Sequence, residues 1–261
     1  MPDVTTSTPS PTRGKLAGFY NEPALLEMVQ AAYAAVHASR SRAAFPLLYG
    51  ADCAVLLGAV PALRDVHGKA GLLFVDGHED ATTMEESTTG EAANMEIALL
   101  LGYGGSRARE VLRPRLPALD ADAVVMLGQR DEGYRREIGV PTIADRVRLY
   151  DVEDVRQRPA ETARVAAEHL SSVATAWWLH IDLDVLDRNE FSACGAASDP
   201  SMPPGLTWAQ LRAVASEALK WNGCSGWSIG VYNTDLDPDR SAAAQIVSFI
   251  ADVTRSTRLN S

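Results

Sequence analysis

The feature that most constrains the fold is a regular alternation between short apolar segments and segments with helical spacing. The apolar segments are almost continuously hydrophobic, as expected for strands that are covered on both faces of a sheet. The predicted strands lie in FPLLYG (45–50), GLLFVD (71–76), AVVMLG (123–128), RVRLYD (146–151), AWWLHIDLD (176–184) and GWSIGVYN (226–233). This alternation predicts an α/β fold, namely a three-layer α/β/α domain with a mostly parallel central sheet. Ligands of such sheets bind outside the carboxyl ends of the strands.

Helices are predicted between these strands from apolar residues at helical spacing. The predicted helices lie in 21–40, 54–66, 90–102, 131–139, 159–173, 207–221 and 240–253. Asn21 and Thr207 are of residue types that cap helix N-termini, and Gly102 is expected to end the third helix. Pro61 is expected to kink or divide the second helix.

The chain is expected to form one domain behind a short tail. Residues 1–15 are rich in Ser, Thr and Pro, so we predict a flexible N-terminal tail there. Residues 16–261 show no internal repeat and no linker. Since 46% of the 261 residues are hydrophobic, the chain can bury a large core, and we predict a single domain over 16–261.

Composition argues against several classes of function. The formal net charge of -10 repels phosphate backbones, so no nucleic-acid partner is expected. The three cysteines are not in a CxxC pattern, which favours a reducing compartment over a disulfide framework. No apolar signal segment or bilayer-length run is found, so the sequence predicts a cytoplasmic protein without a membrane partner.

Two of the predicted strands end in alternating ionisable residues. DGHED carries Asp76, His78 and Asp80, and DLD carries Asp182 and Asp184. Alternate residues of a strand share a face, so each set can converge on one point. Packed carboxylates repel one another, and divalent ions offset that repulsion. A mixed Asp and His set suits Mn, Fe, Co or Zn better than Ca, and two close metals activate a water molecule.

These motifs resemble those of the ureohydrolases, which include arginase, agmatinase, guanidinobutyrase and formimidoylglutamase. The family's D-A-H-x-D box resembles DGHED, and its D-x-D-x-x-D-P box resembles DLDVLDR, with Arg188 in place of proline. PPGLTW (203–208) resembles the P-G-G-L-[ST] box, and GADCA (50–54) resembles G-G-D-H-S. The order of the boxes agrees from about residue 45 onward.

The resemblance implies an arginase-like fold and a pair of divalent metal ions, with manganese as the expected metal. It also implies hydrolysis of a non-peptide C–N bond in a small molecule, usually in a guanidino group, and an oligomer, usually a trimer or hexamer. His78 and Asp80 are additionally predicted as catalytic residues, and Asp76 and Asp182 match the positions that bridge the metals. The matching metal ligands are Cys53, Asp76, His78, Asp80, Asp182 and Asp184.

Cys53 departs from the family because a histidine ligand normally stands at its position. A thiolate favours Zn or Fe over Mn, so either metal is an alternative to manganese. The other reading is a buried free cysteine that packs as a small hydrophobe. His180 shares a face with Asp182, and it either compensates for the lost histidine or lies one layer below the metals.

The residues expected to contact the substrate differ from the family pattern more than the metal ligands do. Ala93 stands where arginase has a histidine thought to shuttle protons or contact the substrate, and Glu91 replaces an asparagine that helps hold the substrate. Val231 stands where the family has a glutamate that grips the guanidinium. Glu85 and Glu86 would make the pocket more acidic, and we include both as candidate catalytic residues.

Three functions remain open from the sequence. The first is a metal-dependent hydrolase of a guanidino, amidino or related group, with a substrate other than plain arginine. The alternative is a catalytically inactive ureohydrolase-like protein that binds a ligand or serves as a partner subunit. An ordinary arginase or agmatinase ranks last, because Ala93 and Val231 remove two substrate contacts.

Overall fold

A six-stranded, all-parallel sheet forms the centre of the protein. The computed structural model describes residues 5–10, 12–50, 52–112, 116–194 and 202–258, with the backbone alone at 256–258. The strands are β1 (Leu47–Tyr49), β2 (Ala70–Val75), β3 (Val124–Gln129), β4 (Arg148–Asp151), β5 (Ala176–Asp182) and β6 (Cys224–Gly230). Their spatial order is β1-β6-β5-β2-β3-β4. The predicted α/β class and parallel sheet are therefore confirmed.

Helices flank this sheet on both faces. They are α1 (Glu22–Arg40), α2 (Leu56–His67), α3 (Glu96–Leu101), α4 (Ser106–Val111), α5 (Glu132–Ile138), α6 (Val152–Gln157), α7 (Pro159–Val173), α8 (Trp208–Ala218) and α9 (Ser241–Arg258). Among the described residues, none of these helices is long and apolar enough to cross a bilayer.

Alternation along the strands builds two separate cores. Leu72 and Phe74 of β2 pack on the face that α1, α2 and α3 cover. Leu73 and Val75 pack on the opposite face, among α6, α7, α8 and α9. Because both faces are buried, each residue of β2 is apolar or glycine, which explains the continuous hydrophobic run in the sequence. The result is the predicted three-layer arrangement.

Two predicted helix features differ in part from the structure. Pro61 lies inside α2 and does not divide it, because the residues from Leu56 to Leu63 are all buried and tertiary packing holds the helix together. Asn21 precedes α1 in a left-handed conformation, with no capping bond from its side chain. Glu22 takes over instead: its carboxylate accepts hydrogen bonds from the backbone N–H groups of residues 16–19.

Two other predicted ends agree with the structure. Thr207 forms a complete capping box with Gln210 at the start of α8. Gly102 ends α3 in the left-handed conformation that glycine adopts without strain.

The N-terminal segment has contacts with the domain. Ser7 bonds to the carboxylate of Glu27 on α1 through its backbone N–H and its hydroxyl. Arg13 donates to the carbonyls of Ser87 and Thr89, in the loop between β2 and α3. The flexible tail over 1–15 and the single domain over 16–261 stay predictions.

Candidate metal centre

The candidate site lies at the carboxyl ends of β2 and β5, two adjacent strands at the centre of the sheet. Val75 of β2 pairs with Ile181 of β5, so Asp76 and Asp182 emerge side by side at the same edge. Both carboxylates are buried, at 0% and 3% relative exposure. The parallel register therefore brings two separate sequence motifs to one point, where the rule for α/β sheets expects a ligand.

One cluster of ligand atoms forms around His78. Its Nδ1 lies 3.0 Å from Asp184 Oδ2 and 3.6 Å from Asp76 Oδ1. The His78 backbone N–H donates to Asp76 Oδ1 over 2.7 Å, and the Gly77 N–H donates to Asp184 Oδ1 over 3.1 Å. Ligand atoms of Asp76, His78 and Asp184 all lie within 4.8 Å of one another, close enough to hold one ion.

A second cluster shares Asp76 and lies deeper. It consists of Cys53, Asp76 and His180, whose ligand atoms also lie within 4.8 Å of one another. The Cys53 thiol donates to Asp182 Oδ2 over 2.7 Å. Cys53 begins a single 3-10 turn (Cys53–Val55), which the Asp52 carboxylate caps by accepting from the Ala54 N–H. The Cys53 sulfur therefore lies at the ends of β5 and β6, beside Asp182 and Gly230.

The carboxyl groups of the site differ in which protonation state the protein alone favours. Burial, together with the neighbouring Asp184 carboxylate, raises the pKa of Asp76 to about 7. Burial and nearby carboxylates raise the pKa values of Asp80 and Asp182 well above their usual range. For Asp184, burial is outweighed by the adjacent His78, and its pKa is lowered. His78 has a raised pKa, because Asp184 and Asp76 outweigh the effect of its burial.

Three buried polar atoms at the site have no hydrogen-bond partner within the described part of the chain. They are Asp76 Oδ2, Glu96 Oε1 and His180 Nε2. Buried polar groups are almost always satisfied, and unsatisfied ones indicate a missing ligand, ion or water. Carboxylate, imidazole and thiolate donors are together a good set for divalent transition metals. The residues present therefore fit metal ions.

Glu96 is a site residue that the sequence interpretation missed. It starts α3, is 0% exposed, and burial and the nearby carboxylates raise its pKa well above the usual range. Its Oε2 accepts from the backbone N–H of Met95. The available signal was a lone acid in the apolar stretch MEIALLL, since an unpaired carboxylate is rarely fully buried.

A large cavity opens in front of the metal ligands. Its volume is about 1910 Å³, and His78, Asp80, Asp182 and Asp184 form part of its wall. Asp80 reaches this wall from a left-handed backbone conformation (φ 44°). The opposite wall is largely apolar and comes from α1 and β1, for example from Met28 and Leu48. The site therefore faces a space that holds a small-molecule substrate.

The residues that replace family substrate contacts line the same cavity. Ala93 and Val231 both face it, and Val231 has φ 63°, a strained conformation for a β-branched residue. Glu91 is exposed at the rim, where it accepts from Thr89 Oγ1 and Asn94 Nδ2.

The two loop glutamates bond mainly to their own surroundings. Glu86 borders the cavity, and its carboxylate accepts from the N–H and hydroxyl of Thr83. Glu85 accepts from the Gly105 N–H and is absent from the cavity wall that the described residues form. Catalytic roles for Glu85 and Glu86 stay predictions.

Comparison with known proteins identifies the family to which this sequence belongs. A sequence profile of the arginase family matches residues 4–254. The chain belongs to the arginase family. The resemblance seen in the motifs is thereby confirmed.

Similarity to individual arginase-family proteins agrees with this family assignment. The chain is 30% identical over 213 residues to the N(omega)-hydroxy-L-arginine amidinohydrolase of Streptomyces lavendulae, covering 79% of this chain and 67% of the relative. It is 24% identical over 242 residues to an arginase of Staphylococcus aureus strain MRSA252, covering 89% and 75% of the two chains. The solved arginase of Bacillus caldovelox superimposes with a TM-score of 0.79 at 22% identity, over 96% of this chain and 82% of that one.

Family and geometry together define the general activity. Arginase-family enzymes depend on a pair of metal ions and act on amidino groups of small molecules. This arginase-family chain keeps a clustered donor set, with Asp76, His78 and Asp184 within reach of one ion. The family and this donor set support a metal-dependent hydrolase of amidino groups, and the family name alone leaves the substrate open.

Proposed function

We propose that this protein hydrolyses the C–N bond of a modified guanidine, an amidine or a formimidoyl group in a small molecule. The observation that carries this proposal is the convergence of buried Asp76, Asp182 and Asp184 at one edge of a large cavity. A binding protein gains nothing from burying several repelling carboxylates, because their desolvation destabilises the fold. A hydrolase benefits from such burial, because the metal ions that these carboxylates hold take part in the reaction.

Six side chains would hold the two divalent ions. They are Cys53, Asp76, His78, Asp80, Asp182 and Asp184. When bound, such ions lower the pKa of water and polarise the group under attack, which is the chemistry they supply. Manganese is the first candidate metal, and zinc or iron is the alternative because of the Cys53 thiol.

The chain's own residues bind the substrate and move protons. Asp80 borders the cavity, so its carboxylate accepts the proton of the attacking water and returns it to the leaving nitrogen. The bond to the leaving nitrogen breaks as the new C–O bond forms, and the amine departs with that proton. His78 Nδ1 is oriented by Asp184 and Asp76, which fixes the ring at the cavity wall.

Plain arginine fits the cavity poorly. A guanidinium needs a strong acceptor in a dry pocket, and Val231 offers none at the position where the family has a glutamate. The Ala93 side chain likewise offers a substrate neither a hydrogen bond nor a proton. The relative from Streptomyces lavendulae is named for an N-hydroxylated arginine. That name supports a modified guanidine as the first class of substrate to test.

The remaining aspects of the proposal follow the family. We propose a cytoplasmic enzyme with a small-molecule substrate, assembled as a homo-oligomer such as a trimer or hexamer. Size-exclusion chromatography with light scattering measures the assembly directly, and a monomer at all concentrations contradicts it.

The test of the activity is a metal-replete substrate screen. The protein is loaded with Mn, Zn or Fe and incubated with guanidino, N-hydroxyguanidino, amidino and formimidoyl compounds, and new amine or urea products are detected by mass spectrometry. We expect turnover of at least one compound, and a loss of at least about 100-fold in Asp182→Asn. Asp145→Asn, at an exposed carboxylate, is the matched control and keeps full activity.

A second candidate function is favoured by Ala93 and Val231 alone. An arginase-family chain that has lost both contacts fits a ligand-binding or partner subunit without turnover. Fully metal-loaded protein that turns over none of these compounds, while one of them raises its Tm, supports this candidate and contradicts the hydrolase.

A further inference from the structure

The cavity in front of the metal ligands has apolar parts that the proposed function does not explain. Tyr134 and Ile138 of α5 line one part, and Met28 of α1 and Leu48 of β1 line another. We propose that these parts hold an uncharged apolar group of the substrate, so that the substrate is an aryl- or alkyl-substituted amidine or guanidine without a carboxylate. This inference rests on the proposed function and names the substrate class of the same site.

Tyr134 places an aromatic ring beside the metal ligands. The ring lies edge-on to the His78 imidazole, with the two ring centroids 6.5 Å apart and the ring planes at 80°. Tyr134 is 42% exposed, and Ile138, one turn further along the same face of α5, is 44% exposed. Exposed apolar side chains that stand together in a binding cavity indicate contact with a ligand, since covering them removes apolar surface from water.

Ion pairs, and not a buried face, hold α5 in place, since none of its residues is buried. Arg135 Nη2 lies 2.9 Å from Glu79 Oε1, and Arg135 Nε lies 3.1 Å from Asp131 Oδ1. Glu79 directly follows His78 in the chain, so the pair with Arg135 ties α5 to the loop that carries this metal ligand. The Tyr134 side chain is therefore fixed next to the site while its ring remains available to a ligand.

The α1 side of the cavity is preformed. α1 packs closely against α2 at Gly58, where an added Cβ would clash with the carbonyl oxygen of Val29. Met28 immediately precedes Val29, and both Met28 and Leu48 pack against the core on this face of the sheet. A wall that is fixed by such close packing keeps its shape when a ligand binds. The ligand therefore meets a rigid apolar surface, as in most small-molecule sites.

The cavity is large enough for a substituent beyond the reacting group. Its volume of about 1910 Å³ exceeds the roughly 300–1,000 Å³ of typical sites for drug-sized ligands. An amidino group at the metal ligands fills a small part of this space and leaves the apolar side chains uncovered. An aryl or alkyl group attached to it can cover them, and each buried methylene should tighten binding about fourfold.

The charges of the cavity disfavour a carboxylate on the substrate. Arg135 is the single lysine or arginine side chain of the cavity wall that the described residues form, and it is already paired with Glu79 and Asp131. Apart from the metal ligands, the same wall carries the acids Asp52, Glu86, Glu91 and Asp131. These acids repel a substrate carboxylate. Glu86 and Glu91 are exposed, so solvent and salt weaken their attraction to a cationic group.

Equilibrium binding to the metal-loaded full-length protein tests the substrate class. The probes are four amidines whose equally long carbon chains end in a methyl, phenyl, ammonium or carboxylate group, and calorimetry or tryptophan fluorescence gives each Kd. We expect the methyl- and phenyl-ended amidines to bind at least about tenfold tighter than the two charged ones. Equal or tighter binding of the ammonium- or carboxylate-ended amidine overturns the proposal, as does failure of all four to bind.

Variants of the apolar residues show whether these side chains make the contact. Tyr134→Ala and Ile138→Ser should each weaken binding of the phenyl-ended amidine by at least about fivefold and leave binding of the carboxylate-ended one unchanged. Tyr134→Phe, which keeps the ring, should bind like wild type. Val247→Ser is the matched control, because Val247 of α9 is 66% exposed and is absent from the cavity wall that the described residues form.

Circular dichroism and metal analysis check that each variant is folded and loaded. Equal weakening of all four amidines in Tyr134→Ala means that Tyr134 acts through His78, and this outcome overturns the proposal. Turnover assays keep the inference separate from the proposed function. Selective binding of the apolar-ended amidines without turnover defeats the proposed function alone, and turnover without a preference for the apolar end defeats this inference alone.

Discussion

Glu79 lies between two site residues and faces the opposite way. Its side chain pairs with Arg135 at 2.9 Å and accepts from Thr142 Oγ1 and the Ile143 N–H. Alternate residues of the DGHED segment thus have different tasks: Asp76, His78 and Asp80 face the site, and Glu79 fixes the segment to the following loop. Such an anchor keeps the segment in place beside the buried carboxylates.

Val231 is the residue at which substrate preference can be changed most directly. Replacing Val231 with Glu puts an anionic acceptor on the cavity wall, where a guanidinium can pair with it. We expect turnover of arginine or agmatine to rise by at least about tenfold in kcat/KM. The measurement is urea release from metal-loaded protein.

Val231→Gln is the matched control for that change. It has similar size and the same left-handed backbone position without the charge. Equal activity of the Glu and Gln variants toward guanidinium compounds contradicts a role for charge at this wall.

Glu22 controls the start of α1 in a pH-dependent way. Burial alone would raise the pKa of Glu22, but the backbone N–H groups of residues 16–19 outweigh it and lower the pKa below its usual range. A depressed pKa in the folded state contributes stability that is present above the unfolded pKa and is lost as the pH falls through the folded pKa. We expect Glu22→Gln to lower the free energy of unfolding by about 1–3 kcal/mol at neutral pH.

Urea unfolding at several pH values measures this effect. The difference between wild type and Glu22→Gln should shrink as the pH falls below about 4. Glu161→Gln, an exposed acid in the first turn of α7, is the control and should change stability little. A difference that stays constant down to low pH argues against the carboxylate as the cause.

The capping box at Thr207 allows the stability of a second helix start, that of α8, to be tested. Its hydroxyl accepts from the Gln210 N–H at the start of α8. Thr207→Ala should lower the free energy of unfolding by about 1 kcal/mol, and Thr207→Ser, which keeps the hydroxyl, should cost less than half of that. Chemical denaturation measures both, and equal losses exclude the cap.

Most elements could be predicted because their patterns are strong and local. The strands around Leu72 and Leu179 are apolar runs bounded by polar ends, and Thr207 carries its own capping signal. The sequence does not show when packing overrides a local preference, as it does for Pro61 within α2. No helix is predicted from the sequence at α4 or α6, where 6 residues with few apolar positions show no helical period.

Removal of metal should destabilise the whole molecule in a pH-dependent manner. Without ions, the pKa of Asp76 is raised to about 7, so its protonated form is favoured in the fold. A raised pKa gives stability that is full below the unfolded pKa and is lost as the pH rises through the folded value. We expect the Tm of chelated protein to fall between about pH 4 and pH 7, while that of loaded protein holds.

Differential scanning calorimetry of the two forms provides the measurement. The gap in Tm between loaded and chelated protein should widen with pH, since the ions replace protons in offsetting the carboxylates. A gap that is independent of pH shows that Asp76 and its neighbours do not carry the effect. Asp145→Asn protein serves as the control and should behave as wild type.

The sequence predicts only those residues of the candidate site that belong to recognisable motifs. Asp76, His78, Asp182 and Asp184 alternate at strand ends, and the register of β2 and β5 then brings them together. His180 and Glu96 needed the three-dimensional structure. His180 is part of a core strand and Glu96 starts an apolar helix. Whether their side chains face the site therefore depends on packing between distant segments.

The two oxygens of Asp76 have different surroundings. Oδ1 accepts the His78 N–H and lies 3.6 Å from His78 Nδ1, while the buried Oδ2 has no hydrogen-bond partner among the described residues. The clusters of Asp76, His78 and Asp184 and of Cys53, Asp76 and His180 share this carboxylate. Binding of an ion at one cluster would therefore affect binding at the other, and linkage requires that effect to be mutual. Enzyme activity would then depend on how completely both clusters are filled.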